Sequence, residues 1–313
     1  MSTLSSQHLL EIEDLSVENI DHILSTAHSL MEINMRTIKK LPTLRGRTVV
    51  NLFLEPSTRT RTSFEIAAKR LSADTINISG STSATVKGES LVDTAQTLDA
   101  LGCDIAIIRH RFAGAAHTLT QNMRASVING GDGCHQHPTQ ALLDLFTMRE
   151  HFGRLKGLHV GIVGDIAHSR VAGSLLPALR LMGATSTVVA PPTLLPARVD
   201  LLGATVSYDL DALLPKLDVL YMLRIQQERQ ARAPLPSLRE YTMLFGVGRR
   251  RLGLLSPHAI IMHPGPVNRG VELSSAALAT AKNLRLDQVS AGVAVRMALM
   301  YLMVGGEKKN AAA

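Results

Sequence analysis

The chain has 313 residues, 45% hydrophobic but only 3% aromatic with no Trp, and its 33 basic and 26 acidic residues give a net charge of +7. That apolar content excludes global disorder, and the length suits about two domains. Two cysteines, Cys103 and Cys134, exclude a disulfide framework or a four-thiolate metal site. No apolar run reaches the about 18 residues of a membrane span, and no basic stretch leads into an apolar one at the N-terminus, so a cytoplasmic protein without a membrane partner is expected. The longest basic run is Arg249–Arg251. With so few aromatics to stack bases, that argues against nucleic acid and for small anions.

In chain order, Thr48–Glu55 reads as a buried strand. Ser57–Leu71 follows as a helix with Phe64, Ala67, Ala68 and Leu71 on one stripe. Asp74–Ser79 is a second strand, Ser90–Gly102 a helix closed by glycine, Cys103–His110 a third strand and Ala125–Gly130 a fourth. A long helix runs from His137 to Phe152. A second series opens with the strand Leu158–Asp165 and the helix Arg170–Gly183, continues with strands over 185–192, 218–224 and 258–265, and ends in an apolar helix, Leu286–Met303. Repeated strand–helix alternation predicts parallel sheets covered on both faces. The expected fold is α/β, two doubly wound parallel-sheet domains joined by long helices. Residues 1–140, completed by a C-terminal helix at 287–305, form the first domain and 141–286 the second. No Pro/Gly/Ser linker interrupts the His137–Phe152 helix, so a rigid joint is expected.

Several stretches carry more polar chemistry than packing requires. In Phe53-Leu-Glu-Pro-Ser-Thr-Arg-Thr-Arg-Thr-Ser-Phe64, Pro56 and Ser57 stop the strand, and Ser57 or Thr58 can cap the helix. Bare first-turn N–H groups, the positive helix end, Thr58, Arg59, Thr60 and Arg61 together make a phosphate cradle; the alternative is an ordinary capped helix with solvated arginines. It is no Walker A loop, for the Gly-rich run is missing. In Gly131–Asp144, His137 and Gln140 share one helix face, and His137 can donate to a developing oxyanion. A metal site from Cys134, His135 and His137 is the rival reading there, with spacings too tight for the ion. Arg109 ends a buried strand, at the edge where open α/β sheets bind ligands. Arg170 and the pair Arg224 and Gln226 follow two later strands and suit a carboxylate. Gly161–Arg170 lacks G-x-G-x-x-G, which weakens a dinucleotide reading. His263-Pro-Gly-Pro266 makes a stiff turn able to aim carbonyls at an amide. Ser79–Ser90 reads by composition as a surface loop.

These stretches, in this order and over nearly the whole chain, resemble the aspartate/ornithine carbamoyltransferase family. The ornithine branch carries an H-C-L-P turn and an S-M-G motif. Here the turn is His263-Pro264-Gly265-Pro266, and Arg224-Ile225-Gln226 stands where the aspartate branch binds its acceptor. The resemblance implies carbamoyl transfer from carbamoyl phosphate to the α-amine of L-aspartate, the committed step of pyrimidine (UMP) synthesis, with no metal or organic cofactor. An ornithine-type or other-amine transferase and a non-catalytic anion-binding paralogue are the alternatives. By the same resemblance Ser57, Thr58, Arg59 and Thr60 hold the phosphate, and Arg109 touches phosphate and carbonyl oxygen. Thr60 and His137 donate to that oxygen. Gln140 and the backbone of Gly265 and Pro266 bind the carbamoyl amino group. Lys87, Arg170, Arg224 and Gln226 bind aspartate. Ser83 and Lys87 come from a neighbouring subunit of a homotrimer, which regulatory chains (giving a dodecamer) or a dihydroorotase can join. Many relatives have Leu where this turn has Gly265.

Overall fold

The computed structural model describes residues 4, 6–80, 89–226 and 237–304. Two compact units divide the chain. One comprises residues 1–146 and 289–313, the other 147–288.

The first unit is built on four parallel strands, β1 (Thr48–Phe53), β2 (Asp74–Ser79), β3 (Ile105–His110) and β4 (Ser126–Asp132), in the order β2-β1-β3-β4. Strand alternation divides its apolar residues between two faces. Val50, Leu52, Ala106, Ile108 and Val127 pack with Ala95 and Leu98 of helix α3 (Leu91–Ala100) and with Ala115, Ala116 and Leu119 of α4 (Ala115–Thr120). The alternate residues Val49, Ile105, Ile107 and Ile128 are fully buried as well. They must face the other side, where α2 (Thr58–Arg70) lies against β1 and β2. Its buried Phe64, Ala67 and Ala68 follow the expected stripe.

The second unit holds five parallel strands, β5 (His159–Val163), β6 (Thr185–Val189), β7 (Ala204–Ser207), β8 (Val219–Met222) and β9 (Ile260–Met262), in the order β7-β6-β5-β8-β9. Long helix α5 (Pro138–Phe152) follows β4, and α6 (Arg170–Leu181) follows β5; a last long helix, α7 (Arg285–Val304), ends the described chain. The expected class, parallel α/β sheets with flanking helices, is therefore the observed one.

Helix α1 (Val17–Met31) and strand β7 are among the elements that have no counterpart in the sequence reading. Helix α1 buries Ile20, Ile23, Leu24, Ala27 and Leu30 and is capped by Ser16, whose Oγ accepts from Asn19 N at 3.2 Å. Its three-and-four spacing was present in the sequence. Strand β7 is short, with two of its four residues exposed, too polar to signal a strand. In the first unit, Leu9 N donates to Val127 O (2.9 Å) and Leu9 O accepts from Asn129 N (2.8 Å), which covers the free edge of β4.

Candidate active site

Strand order locates a crevice in each sheet before any side chain is considered. In the first, the chain steps from β1 outward to β2 and then back across to β3, so the switch point lies between β1 and β3. In the second it lies between β5 and β8. Ligands bind open parallel sheets outside the carboxyl ends of the strands at such points.

At the first switch point β1 peels away sooner than predicted. Leu54 N and Glu55 N both donate to the Arg109 carbonyl, at 2.9 and 3.2 Å, so the strand ends at Phe53. That brings Glu55 to the Arg109 side chain. Arg109 Nη2 donates to Glu55 Oε1 at 3.1 Å and Nη1 to Gly130 O at 3.2 Å, with only 12% of the side chain exposed. The guanidinium is thus held from two sides at the strand ends.

Helix α2 begins beside it, and one expectation needs correcting. Ser57 occupies the cap position (φ −161°, ψ 93°), but its hydroxyl accepts from no first-turn N–H. Ser16, Ser90, Ser169, Asp209, Ser237 and Ser274 all cap their own helices. Thr58 is the first helical residue rather than a cap, and no acidic residue stands in the first turn. The positive helix end is thereby left to an outside anion, with the Ser57 and Thr58 hydroxyls and buried Thr60 at the same turn. Arg59 projects from this turn and is exposed.

His137 stands immediately before α5 and is buried, with Thr139 Oγ1 3.5 Å from its Nδ1. The turn that presents it is built on Asp132, also buried. Its carboxylate accepts from Gly114 N (2.8 Å), Asn129 Nδ2 (2.9 Å) and Gln136 N (3.1 Å) and meets His135 Nδ1 at 3.3 Å. Gln140, one turn into α5, directs Nε2 to Asp144 Oδ1 at 3.0 Å. Ser83 and Lys87 lie outside the described residues. Among the described residues no group of three or more His, Cys, Asp or Glu side chains could hold a metal ion.

At the second switch point, Asp165 is fully buried and accepts from His168 N (3.2 Å), with His168 Nδ1 at 2.8 Å from the same oxygen. This turn delivers Arg170, the first residue of α6, which is buried. Gln226 Nε2 donates to His168 O at 3.1 Å and so ties the segment after β8 to the segment after β5. Arg224, two residues past β8, is half-buried. The peptide between Arg224 and Gln226 is anchored by a residue that no motif pointed to. Glu272 is fully buried; its Oε1 accepts from Ile225 N (3.0 Å) and Asn268 Nδ2 (2.9 Å), and Oε2 from Asn268 N (2.7 Å). Burial raises its pKa above the ordinary carboxylate value, with the three donors working against that rise.

The turn after β9 is equally determinate. Gly265 N donates to His263 Nδ1 at 2.8 Å, and His263 N to Gln288 Oε1 at 2.9 Å. The turn's own N–H is therefore spent internally, and what Gly265 and Pro266 present is carbonyl oxygen. Gly265 has φ +64°, a conformation glycine adopts without a Cβ penalty.

Two sets of anion-seeking donors at sheet switch points define an α/β protein that handles small anions, one end suited to phosphate and another to carboxylate. The comparisons with known proteins narrow that class. Residues 7–150 match the carbamoyl-phosphate-binding domain, and 156–303 the Asp/Orn-binding domain, of aspartate/ornithine carbamoyltransferases. The chain is 57% identical over 302 residues to an aspartate carbamoyltransferase catalytic subunit of Syntrophotalea carbinolica, covering 96% of each chain. It is 54% identical to that of Frankia casuarinae over 96% of this chain and 95% of the other. Among solved structures, aspartate transcarbamoylase from Trypanosoma cruzi in complex with N-(phosphonacetyl)-L-aspartic acid superposes with a TM-score of 0.86 at 30% identity, covering 94% of both chains. The same enzyme in complex with carbamoyl phosphate also gives 0.86 at 30% identity over 94% of both. The chain belongs to the aspartate/ornithine carbamoyltransferase family.

Proposed function

We infer that this chain transfers the carbamoyl group of carbamoyl phosphate to the α-amine of L-aspartate, giving N-carbamoyl-L-aspartate and phosphate. The observation that carries the acceptor choice is Arg224 at the peptide that Glu272 anchors through Ile225 N, with Arg170 opening α6. A dicarboxylate needs two cations, whereas the cationic tail of ornithine would be repelled. The names of relatives at more than 50% identity point the same way.

The amine nitrogen of aspartate attacks the carbamoyl carbon. As the C–N bond forms, charge develops on the carbonyl oxygen, where Thr60, Arg109 and His137 donate; each such donor is worth about 100- to 1,000-fold in rate. The bond from carbon to the phosphate oxygen then breaks and its electron pair leaves with phosphate. The uncapped first turn of α2, with Ser57, Thr58, Arg59 and Arg109, receives that anion. The amine proton passes to the departing phosphate. Gln140 and the carbonyls of Gly265 and Pro266 orient the carbamoyl amino group, and Gln226 with Lys87 assists Arg170 and Arg224 in holding aspartate.

Ser83 and Lys87 are proposed to be supplied by a neighbouring copy in a homotrimer, which regulatory chains or a dihydroorotase can join; a cytoplasmic setting suits these substrates. Among the described residues no helix is long and apolar enough to cross a membrane. Turnover with aspartate and with ornithine tests the reading. Aspartate should be carbamoylated and ornithine not, and Arg224→Ala should raise KM for aspartate about 10- to 100-fold, the worth of a charge-assisted contact. Unchanged aspartate affinity in that variant would refute the acceptor assignment. Mixing inactive Lys87→Ala and Arg59→Ala chains should restore some activity; none in verified mixed trimers would refute the sharing of sites.

A further inference from the structure

Gln140 has two faces of opposite polarity, and only one of them can recognise a carbamoyl amino group. An N–H of the donor needs the amide oxygen; the amide nitrogen would meet it donor to donor. Which face is presented is decided on the far side of the residue. There Nε2 donates to Asp144 Oδ1 at 3.0 Å, one turn along α5, and both residues are buried. An ionised carboxylate only accepts, so the NH2 group must turn toward Asp144 and the Oε1 toward the crevice. Among the described residues nothing donates to that oxygen.

A fully buried carboxylate stays ionised only with a compensating charge. One positive charge that acts on it without a direct bond is Arg296, on α7, itself buried: burial pushes the guanidinium down to about 10, and the attraction of Asp144 opposes that fall. Arg296 is in turn fixed by helix α2. Its Nη1 donates to Ser63 Oγ at 2.7 Å, and its guanidinium carbon lies 4.8 Å from the centre of the Phe64 ring. Gly292 makes the room, since a Cβ there would come within 2.7 Å of Arg296 Nη1. A chain of groups thus runs from the phosphate-cradle helix through Arg296 and Asp144 to Gln140.

We propose that Asp144, backed by Arg296, is a positioning residue that locks the Gln140 amide with its oxygen toward the substrate and so sets selectivity for a carbamoyl over an acyl phosphate. This rests on the carbamoyl-transfer reading above. Acetyl phosphate carries a methyl group where carbamoyl phosphate carries NH2 and is otherwise nearly the same shape, so the ratio of the two affinities reads the polarity of that face.

In Asp144→Asn the side chain keeps its shape but can present either an oxygen or an NH2 group. The positive charge of Arg296 favours the oxygen end of the new amide on its side, which leaves the NH2 of the new residue facing Gln140. The Gln140 amide then turns over and meets the carbamoyl nitrogen with its own N–H. Titration calorimetry with each ligand should show the wild-type preference for carbamoyl phosphate falling about tenfold, roughly one hydrogen bond replaced by a donor clash. The double variant Asp144→Asn with Arg296→Met removes the bias between the two orientations. The substrate can then select the productive one, and the preference should return to within about twofold of wild type. A merely structural role would weaken both ligands alike in the single variant, and that result, or an unchanged preference, overturns the proposal. If the single variant does not fold, neutron diffraction from the deuterium-exchanged wild-type enzyme decides. An amide nitrogen against Asp144 supports the assignment, and an amide oxygen there overturns it. A wild type with no preference between the two phosphates would instead overturn the proposed reaction, and this inference with it.

Discussion

Glu272 is the residue through which two segments of the second crevice are joined, and removing its charge should have a calculable cost. Three N–H groups converge on its two oxygens, two on Oε1 and one on Oε2. A glutamine keeps only one oxygen. The better orientation keeps the pair from Ile225 N and Asn268 Nδ2 and turns the new NH2 group onto Asn268 N, so one half-buried N–H loses its acceptor. That costs about 1–3 kcal/mol. Because the lost bond lies on the Asn268 side, Glu272→Gln should disturb the Pro266 turn more than Arg224. Glu272→Ala, which strips all three, should cost about 3 kcal/mol or more and raise KM for aspartate as well. There is also a pH signature. Burial raises the folded-state pKa above the ordinary 4.5, so the folded form holds this proton more tightly than the unfolded chain. That contribution is present at low pH and is lost as pH rises from about 4.5 through the raised value. Glu272→Gln, which does not titrate, should lack this loss, and its deficit against wild type should shrink as pH rises through the window. Denaturant midpoints across pH 4–8 (a window set about that reference value), with KM for both substrates, check each part. A glutamine variant as stable as wild type at all pH values, or an alanine variant with unchanged KM for aspartate, would refute the bracing role.

Two further outcomes follow from the same geometry. Ser57 makes no cap bond, so Ser57→Ala should leave thermal stability nearly unchanged while weakening carbamoyl phosphate binding; Ser90→Ala, which removes the bond accepted from Asp93 N at 3.1 Å, should cost about 1 kcal/mol. Equal losses in calorimetry would contradict the uncapped reading. Burial drives the Cys103 thiol up to about 12, whereas Cys134 is exposed. Iodoacetamide followed by mass spectrometry should mark Cys134 in the native protein and Cys103 only after unfolding.

The parallel α/β class was legible because alternating apolar runs and helical stripes are local properties of the chain. The anion-seeking character of the first crevice was legible too, since a run such as Ser57-Thr58-Arg59-Thr60 carries more hydroxyl and guanidinium donors than a helix start requires. Helix α1 carries a readable periodicity in its buried residues, whereas half-exposed β7 carries none.

What the chain could not announce were the partners that aim those groups. Glu55 looks like the last residue of a strand, Asp144 like one more polar position on a helix, and Arg296 like an odd charge in an apolar run. Ser63 and Arg296 are 233 positions apart, and Ile225 and Glu272 are 47. A side chain's type is written locally, and it determined that this protein would seek phosphate and carboxylate. Which end of the Gln140 amide Asp144 takes up, and which loops Glu272 holds together, depended on buried groups, some far apart in the chain, that only the tertiary structure brings together.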